Sequence, residues 1–190
     1  MRTALVGGTI ASVLLCVAAH ADPAACRAQI FDASKKSLES PNHIFASQTG
    51  SGPAGLVAKS ETINVGDKSY VRLVDVHAGK AKIGDDGWAI ARRSPQEIAK
   101  ATLEEMRDSA KETRNYKCTH VRDETVDGVA AAVYSEHAET DYGKSDTQIW
   151  ISKDQGLILK YQAISADMTI NYRYLYTDIR APANAKGPGQ

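Results

Sequence analysis

YKCTHVRDETVDGVAAAVYSEHAETDYGKSDTQIWISKDQGLILKYQAISADMTINYRYLYTDI, residues 116–179, decides the fold. It is strand and turn throughout. Asp127-Gly128 separates the runs 116–126 and 129–138. A polar loop, 139–144, leads to 145–152. Lys153-Asp154-Gln155-Gly156 turns the chain into 157–166, and Asp167 leads into 168–179. Asp-Gly between apolar runs is a hairpin signal, because its first residue tolerates positive φ and glycine costs nothing there. Connections this short join antiparallel neighbours, since a parallel crossover needs a dozen residues or more.

Upstream the pattern repeats. Runs at 43–49, 56–65, 68–77, 81–83 and 88–91 are broken by Gly50-Ser51-Gly52-Pro53, Gly66-Asp67, Ala78-Gly79 and Gly84-Asp85-Asp86-Gly87. Two helices interrupt the strands. Residues 23–39 combine helix formers with an apolar side, and Ser40-Pro41-Asn42 stops them. Ser94-Pro95-Gln96-Glu97 has the N-cap, N1 and N3 residues of a capping box. Ala99, Leu103, Met106 and Ala110 then mark one modest apolar stripe. Two helices cannot cover both faces of so many strands. The expectation is an α+β domain: one strongly curved antiparallel sheet, an open or half-closed barrel, with the N-terminal and mid-chain helices packed on its concave side.

The ends of the chain set the compartment. Arg2 precedes an apolar stretch that closes on Ala19-His20-Ala21. A basic start, an apolar middle and small residues at −3 and −1 make a secretory signal peptide, cleaved after Ala21. Removing those 21 residues from 190 leaves a 169-residue domain whose charge is −1. This argues against a cytosolic enzyme, a polytopic membrane protein and a basic nucleic-acid binder. Residues 22–181 read as one domain and 182–190 as a tail without structure. A periplasmic monomer with no transmembrane span is expected. Cys26 and Cys118 form an even pair in an oxidising compartment, so a disulfide between them is expected. Neither Cys16, preceded by Leu15, nor Cys26, with Pro23 at −3, sits in a good lipoprotein-acylation motif.

The order of parts resembles the LolA/LolB-like periplasmic lipoprotein-carrier superfamily. The matching features begin with the signal peptide, the first helix and the early meander. Gly87-Trp88 then feeds Ser94-Pro95-Gln96-Glu97 and the second helix. The C-terminal half adds Asp127-Gly128, Gln148-Ile149-Trp150-Ile151-Ser152, Gly156-Leu157-Ile158-Leu159-Lys160 and Tyr174-Leu175-Tyr176-Thr177-Asp178-Ile179. The resemblance implies an unclosed barrel with helices as a lid over an apolar cavity. No residue here is matched to the strand arginine that gates the lid in the true carriers.

The candidate cavity residues are Trp88, Met106, Trp150, Ile170, Tyr172, Tyr174 and Tyr176. Met168, Ile170, Tyr172, Tyr174 and Tyr176 alternate, so they share one strand face. That face either lines a ligand cavity or packs under a helix. Trp150 lies opposite Ile149 and Ile151 and points into a cavity, a core or the surface. His43, His77, His120 and His137 lack metal-site spacing. Glu136, Glu139, Asp141 and Asp146 read as a solvated acidic loop, with carboxylate chemistry or calcium as the rival. Arg92-Arg93, with Lys80 and Lys82, make a weak basic patch. No catalytic motif, metal site or cofactor motif is present.

Three functions stay open. The first is a non-enzymatic periplasmic carrier or binding protein for a lipid or other amphiphile. The second is an exported module that meets an envelope protein. The third is an exported hydrolase with a site assembled in space.

Overall fold

The computed structural model describes residues 22–50, 55–78, 81–83, 87–141 and 143–187. The expected signal peptide lies outside them. Helix α1 spans Pro23–Glu39. Asp22 caps it by accepting the Ala24 N–H at 3.0 Å, and Pro23 occupies the first turn, where its missing N–H costs nothing. The residue before Pro41 is pushed to extended backbone, so the helix ends at Ser40. Cys26, Ile30, Ala33 and Ser37 form its buried stripe. Helix α2 spans Pro95–Glu112 and has the expected capping box. Ser94 Oγ accepts the Glu97 N–H at 3.2 Å, and Glu97 accepts the Ser94 N–H at 2.8 Å.

The strands are β1 Asn42–Gly50, β2 Val57–Val65, β3 Lys68–Ala78, β4 Ala81–Ile83, β5 Ala89–Ile90, β6 Arg114–Val126, β7 Val129–Thr140, β8 Gly143–Ser152, β9 Ile158–Ser165 and β10 Met168–Leu175. Their order is β4-β3-β2-β1-β10-β9-β8-β7-β6, with β5 against β3. Every named strand pair is antiparallel. The first and last strands pair from His43↔Leu175 to Gly50↔Met168, which fuses the N-terminal and C-terminal meanders into one sheet. Strands β4 and β6 do not meet, so the curved sheet stays open.

Both helices lie over the same face. A row across this inner face reads Tyr134, Ile149, Tyr161, Tyr172 and Ala46, each paired to the next. Under α1 it merges into a core of Cys26, Ile30, Cys118, Tyr134, Ile149, Ile151 and Ile158. Cys26 and Cys118 are disulfide-bonded, with Cα atoms 5.8 Å apart, tying α1 to β6. The fully buried Asn42 secures the other end of α1. Its amide donates to the Ser37 and Ser40 carbonyls, while its oxygen accepts from Asn64. The outer face has its own small core, Ala131, Val133, Trp150 and Leu159.

Two ends of elements differ from expectation. Strand β10 stops at Leu175 instead of 179, because the chain turns there and Asp178 takes φ 55°. The tail, expected without structure, brings Lys186 beside the fifth strand. Its N–H donates to the Trp88 carbonyl at 2.8 Å and its carbonyl accepts the Ile90 N–H at 2.9 Å.

Candidate functional site

Helix α2 runs antiparallel to α1. Its C-terminal carbonyl of Ala110 accepts from Arg27 near the start of α1, at 3.3 Å. Its N-terminal Ala99 shares a small crevice with Leu38, near the end of α1. The buried residues of α2, Ala99 and Leu103, belong to its N-terminal half. Thr102, Met106 and Ala110 instead look across a gap to Ile170, Tyr172 and Tyr174 on the last strand. The gap is a cleft of about 1290 Å³, roofed by α2, flanked by α1 and floored by the inner face of the sheet. It exceeds the usual range of small-ligand sites, about 300–1,000 Å³.

The cleft has an apolar body and a polar end. Tyr161, Tyr172 and Tyr174 form a ring-to-ring wall, with centroids 5.7 and 6.3 Å apart. Ile149, Ile158 and Ile170 complete it. Burial pushes the Tyr161 and Tyr174 hydroxyls above the ordinary phenol range. These rings are neutral, and their edges and faces present apolar surface to a ligand. The polar end lies one row further along the strands, at Glu136 and its partner Thr147. There the half-buried Glu136 carboxylate accepts the Tyr116 hydroxyl. The Arg27 guanidinium sits 3.6 Å from the Tyr116 ring centroid. Burial pushes the Glu136 carboxyl up, against the lowering effects of the Tyr116 hydrogen bond and the Arg27 charge. Ser145 and Ala138 close this end.

Four of the seven expected cavity residues meet at the cleft: Met106, Ile170, Tyr172 and Tyr174. The other three do not. Trp150 points to the outer face, as its opposition to Ile149 and Ile151 allows. It is 3% exposed, donates its indole N–H to Glu124 and carries the Lys160 ammonium 4.3 Å from its ring. Trp88 also lies on that side, beside His43 and with the Arg72 guanidinium 5.0 Å from its ring. Tyr176 follows the end of β10 and is not in the cleft lining. Its ring stacks on that of Tyr174 at 6.3 Å and also touches the Trp150–Leu159 cluster, and its hydroxyl donates to the Ile158 carbonyl at 2.7 Å.

The remaining candidates disperse. His43, His77, His120 and His137 pair with Glu61, Asp75, Asp123 and Asp146 respectively, at 2.7–3.0 Å. Among the described residues no cluster could hold a metal ion. Arg92 and Arg93 are exposed and away from the cleft lining. The acidic group splits. Asp141 pairs with Arg114, and Lys144 and Asn115 hold Glu139 down to about 2. Glu136 alone turns inward. Sequence reasoning missed this role, as it missed Arg27 and Tyr116. The available signal was parity, since Glu136 shares a strand face with Tyr134.

The fold is an open, curved antiparallel sheet with two helices over one face. The lipoprotein LppX of Mycobacterium tuberculosis is similar in fold, at TM-score 0.53 and 13% identity, over 86% of this chain and 100% of that one. LprF of Mycobacterium bovis aligns at TM-score 0.45 and 13% identity, over 83% and 97% of the two chains. A LolA superfamily protein of Nitrosomonas europaea aligns at TM-score 0.30 and 10% identity, over 78% and 91%. The match to LppX is a likeness of fold alone. No family model matches the chain, and no curated protein matches it.

Proposed function

We propose that this chain is a non-enzymatic binding or carrier protein of the cell envelope, holding a lipid or other amphiphile between α2 and the sheet. One observation carries the reading: an apolar cleft of about 1290 Å³ lies under a helix whose C-terminal half leaves the sheet floor unfilled. Burial of a ligand's apolar surface there contributes about 25 cal/mol per Å². The polar end at Glu136 accommodates a head group. Among the described residues the cleft lining includes no histidine, which does not favour a hydrolase of the Ser–His type there. The Cys26–Cys118 bond suits an oxidising compartment, and no described helix is long and apolar enough to cross a membrane. Likeness of fold to a protein named as a lipoprotein is in keeping with an exported role. We place the mature start at Asp22.

The test is saturable binding of a fluorescent acyl probe to the purified protein, with mass spectrometry of lipids extracted from native preparations. Met106→Trp narrows the cleft from the roof and should weaken probe binding while the melting temperature holds. Undiminished binding by Met106→Trp, or no binding and no co-purified lipid in the parent, refutes the assignment.

A further inference from the structure

The cleft floor does not stop at β10. Cross-strand pairing carries its residues onto the next three strands. Tyr174 continues as Ile44, Thr62 and Val71, and Tyr172 as Ala46, Ser60 and Leu73. Ile170 continues as Gln48, Ala58 and Val76. Directly paired residues share a sheet face, so all three rows lie on the inner face. Each row is bulky at both ends. Ile170, Tyr172 and Tyr174 stand on β10, and Val71, Leu73 and Val76 on β3. Between them Ala46, Ala58, Ser60 and Thr62 are small. The two walls are three strand spacings apart, about 14 Å. The rows therefore form a trough along β1 and β2. Its β10 wall also lines the cleft, so trough and cleft share that wall.

The trough carries no charge. Every Lys, Arg, Asp and Glu of β1–β3, namely Lys59, Glu61, Lys68, Arg72 and Asp75, belongs by register to the opposite face. A sheet face left to water ordinarily reads polar, with charges on the solvent side. Here β3 instead presents Val71 and Leu73, 38% and 41% exposed, two of the four exposed large apolar residues among those described. Neighbouring exposed apolar side chains beside a ligand cleft mark a further binding surface. The surface suits a hydrocarbon chain, because its walls are apolar and it holds no ion to desolvate.

We infer that the trough takes the second chain of a two-chain amphiphile whose first chain lies in the cleft, one chain on each side of the β10 wall, and that Leu73 selects two chains over one. The inference rests on the amphiphile-binding reading above and narrows it to diacyl ligands. The second chain raises affinity by covering Val71 and Leu73, which a single chain in the cleft leaves in water. Burial of about two methylenes is worth about tenfold.

The experiment compares a diacyl and a monoacyl glycerophosphocholine of the same short chain length by calorimetry, each below its micelle concentration. The diacyl probe should bind the parent protein at least about tenfold tighter. Leu73→Glu places a charge in the trough at an exposed position. It should cut diacyl binding by about tenfold or more and leave monoacyl binding unchanged. Met106→Trp, in the cleft, should weaken both probes. Equal or weaker binding of the diacyl probe by the parent overturns the inference and leaves the cleft reading standing. A diacyl preference that survives Leu73→Glu does the same. If the parent also self-associates and Leu73→Glu abolishes that, the face belongs to a second copy of the chain. Loss of both probes in Leu73→Glu at an unchanged melting temperature overturns a trough separate from the cleft. Binding of neither probe by the parent overturns both readings. If Leu73→Glu does not fold, Leu73→Ser decides: an unchanged ratio of the two affinities overturns the role of Leu73.

Discussion

Replacing Cys26 and Cys118 together by alanine cuts the covalent tie between α1 and β6. The bond joins residues 92 apart in sequence. In the chain-entropy account, releasing a loop of that length gives the denatured chain about 4.6 kcal/mol at 25 °C, while measured losses cluster at about 2–4 kcal/mol. Both cysteines are almost wholly buried, at 2% and 1% exposure, so alanine also leaves small voids costing about 1 kcal/mol. The expected loss is therefore about 3–5 kcal/mol, which for a domain of this size lowers Tm by roughly 6–20 °C. Urea denaturation followed by tryptophan fluorescence and far-UV circular dichroism measures it. The double variant should also show a larger m value, because its unfolded chain is less compact. Wild type held reduced by a thiol should lie within about 1 kcal/mol of the double variant, on the stable side, because its cysteine side chains leave no voids. A loss under about 1 kcal/mol would refute the reasoning, for α1 would then be held by its apolar stripe alone.

Ser94→Ala removes the N-cap of α2 and should cost about 1 kcal/mol. Hydrogen exchange should find the amides of α2 faster than those of α1, faster again in Ser94→Ala, and slowed by bound amphiphile; equal protection of both helices in the parent counts against α2 as the moving roof. Trp150→Ala should cost about 3–5 kcal/mol by emptying the outer-face core, yet the milder Trp150→Phe should leave probe affinity unchanged, because the sheet separates it from the cleft. A large affinity loss in Trp150→Phe contradicts the placement of that ring. Burial raises the Glu136 carboxyl above its ordinary 4.5, so the stability it contributes is fully present below about pH 4.5 and is lost as pH rises through the folded value. Glu136→Gln should therefore gain in Tm relative to wild type as pH goes from 4 to 8; a gap that closes with rising pH reverses the sign of the argument.

Local signals carried most of the architecture. The capping box at Ser94, the stop at Pro41 and the Asp-Gly turn at residues 127 and 128 act through neighbouring atoms, so they are legible without the fold. Gly66 and Gly128 take φ of 62° and 85° at the turns where their lack of a side chain is needed. The site was only half legible. Alternation puts Ile170, Tyr172 and Tyr174 on one face, and the Tyr176 ring stacks on Tyr174, but alternation does not say where the cleft ends, and Tyr176 lies outside its lining. Nor does it say which face the helices cover. That depends on α1 docking to β6 through a bond between distant residues, and it put Trp88 and Trp150 on the other side. The same docking buries Glu136, whose sequence neighbours Glu139 and Asp141 remain in ion pairs at the loop. In sequence the three carboxylates look alike.

The two helices are held so differently that their roles separate. Helix α1 is bonded to β6 through Cys26. Its Ser37 hydroxyl accepts the Ile158 N–H at 2.8 Å, its Lys36 ammonium donates to the Gln155 carbonyl, and its buried stripe is part of the sheet core. Moving it would break a covalent bond or open that core. Helix α2 buries only Ala99 and Leu103. Its polar ties, the Gln96 amide to the Gly66 carbonyl at 3.2 Å and the Ala110 carbonyl to Arg27 at 3.3 Å, are neutral or single bonds at its two ends. Each is worth about 0.5–3 kcal/mol net. In the proposed binding role, a ligand entering under α2 would meet its smallest resistance at the element that roofs the cleft. The Arg27 bond also ties that element to the polar end. Lifting the C-terminal turn of α2 would break the Arg27 bond to the Ala110 carbonyl, beside the Tyr116–Glu136 pair.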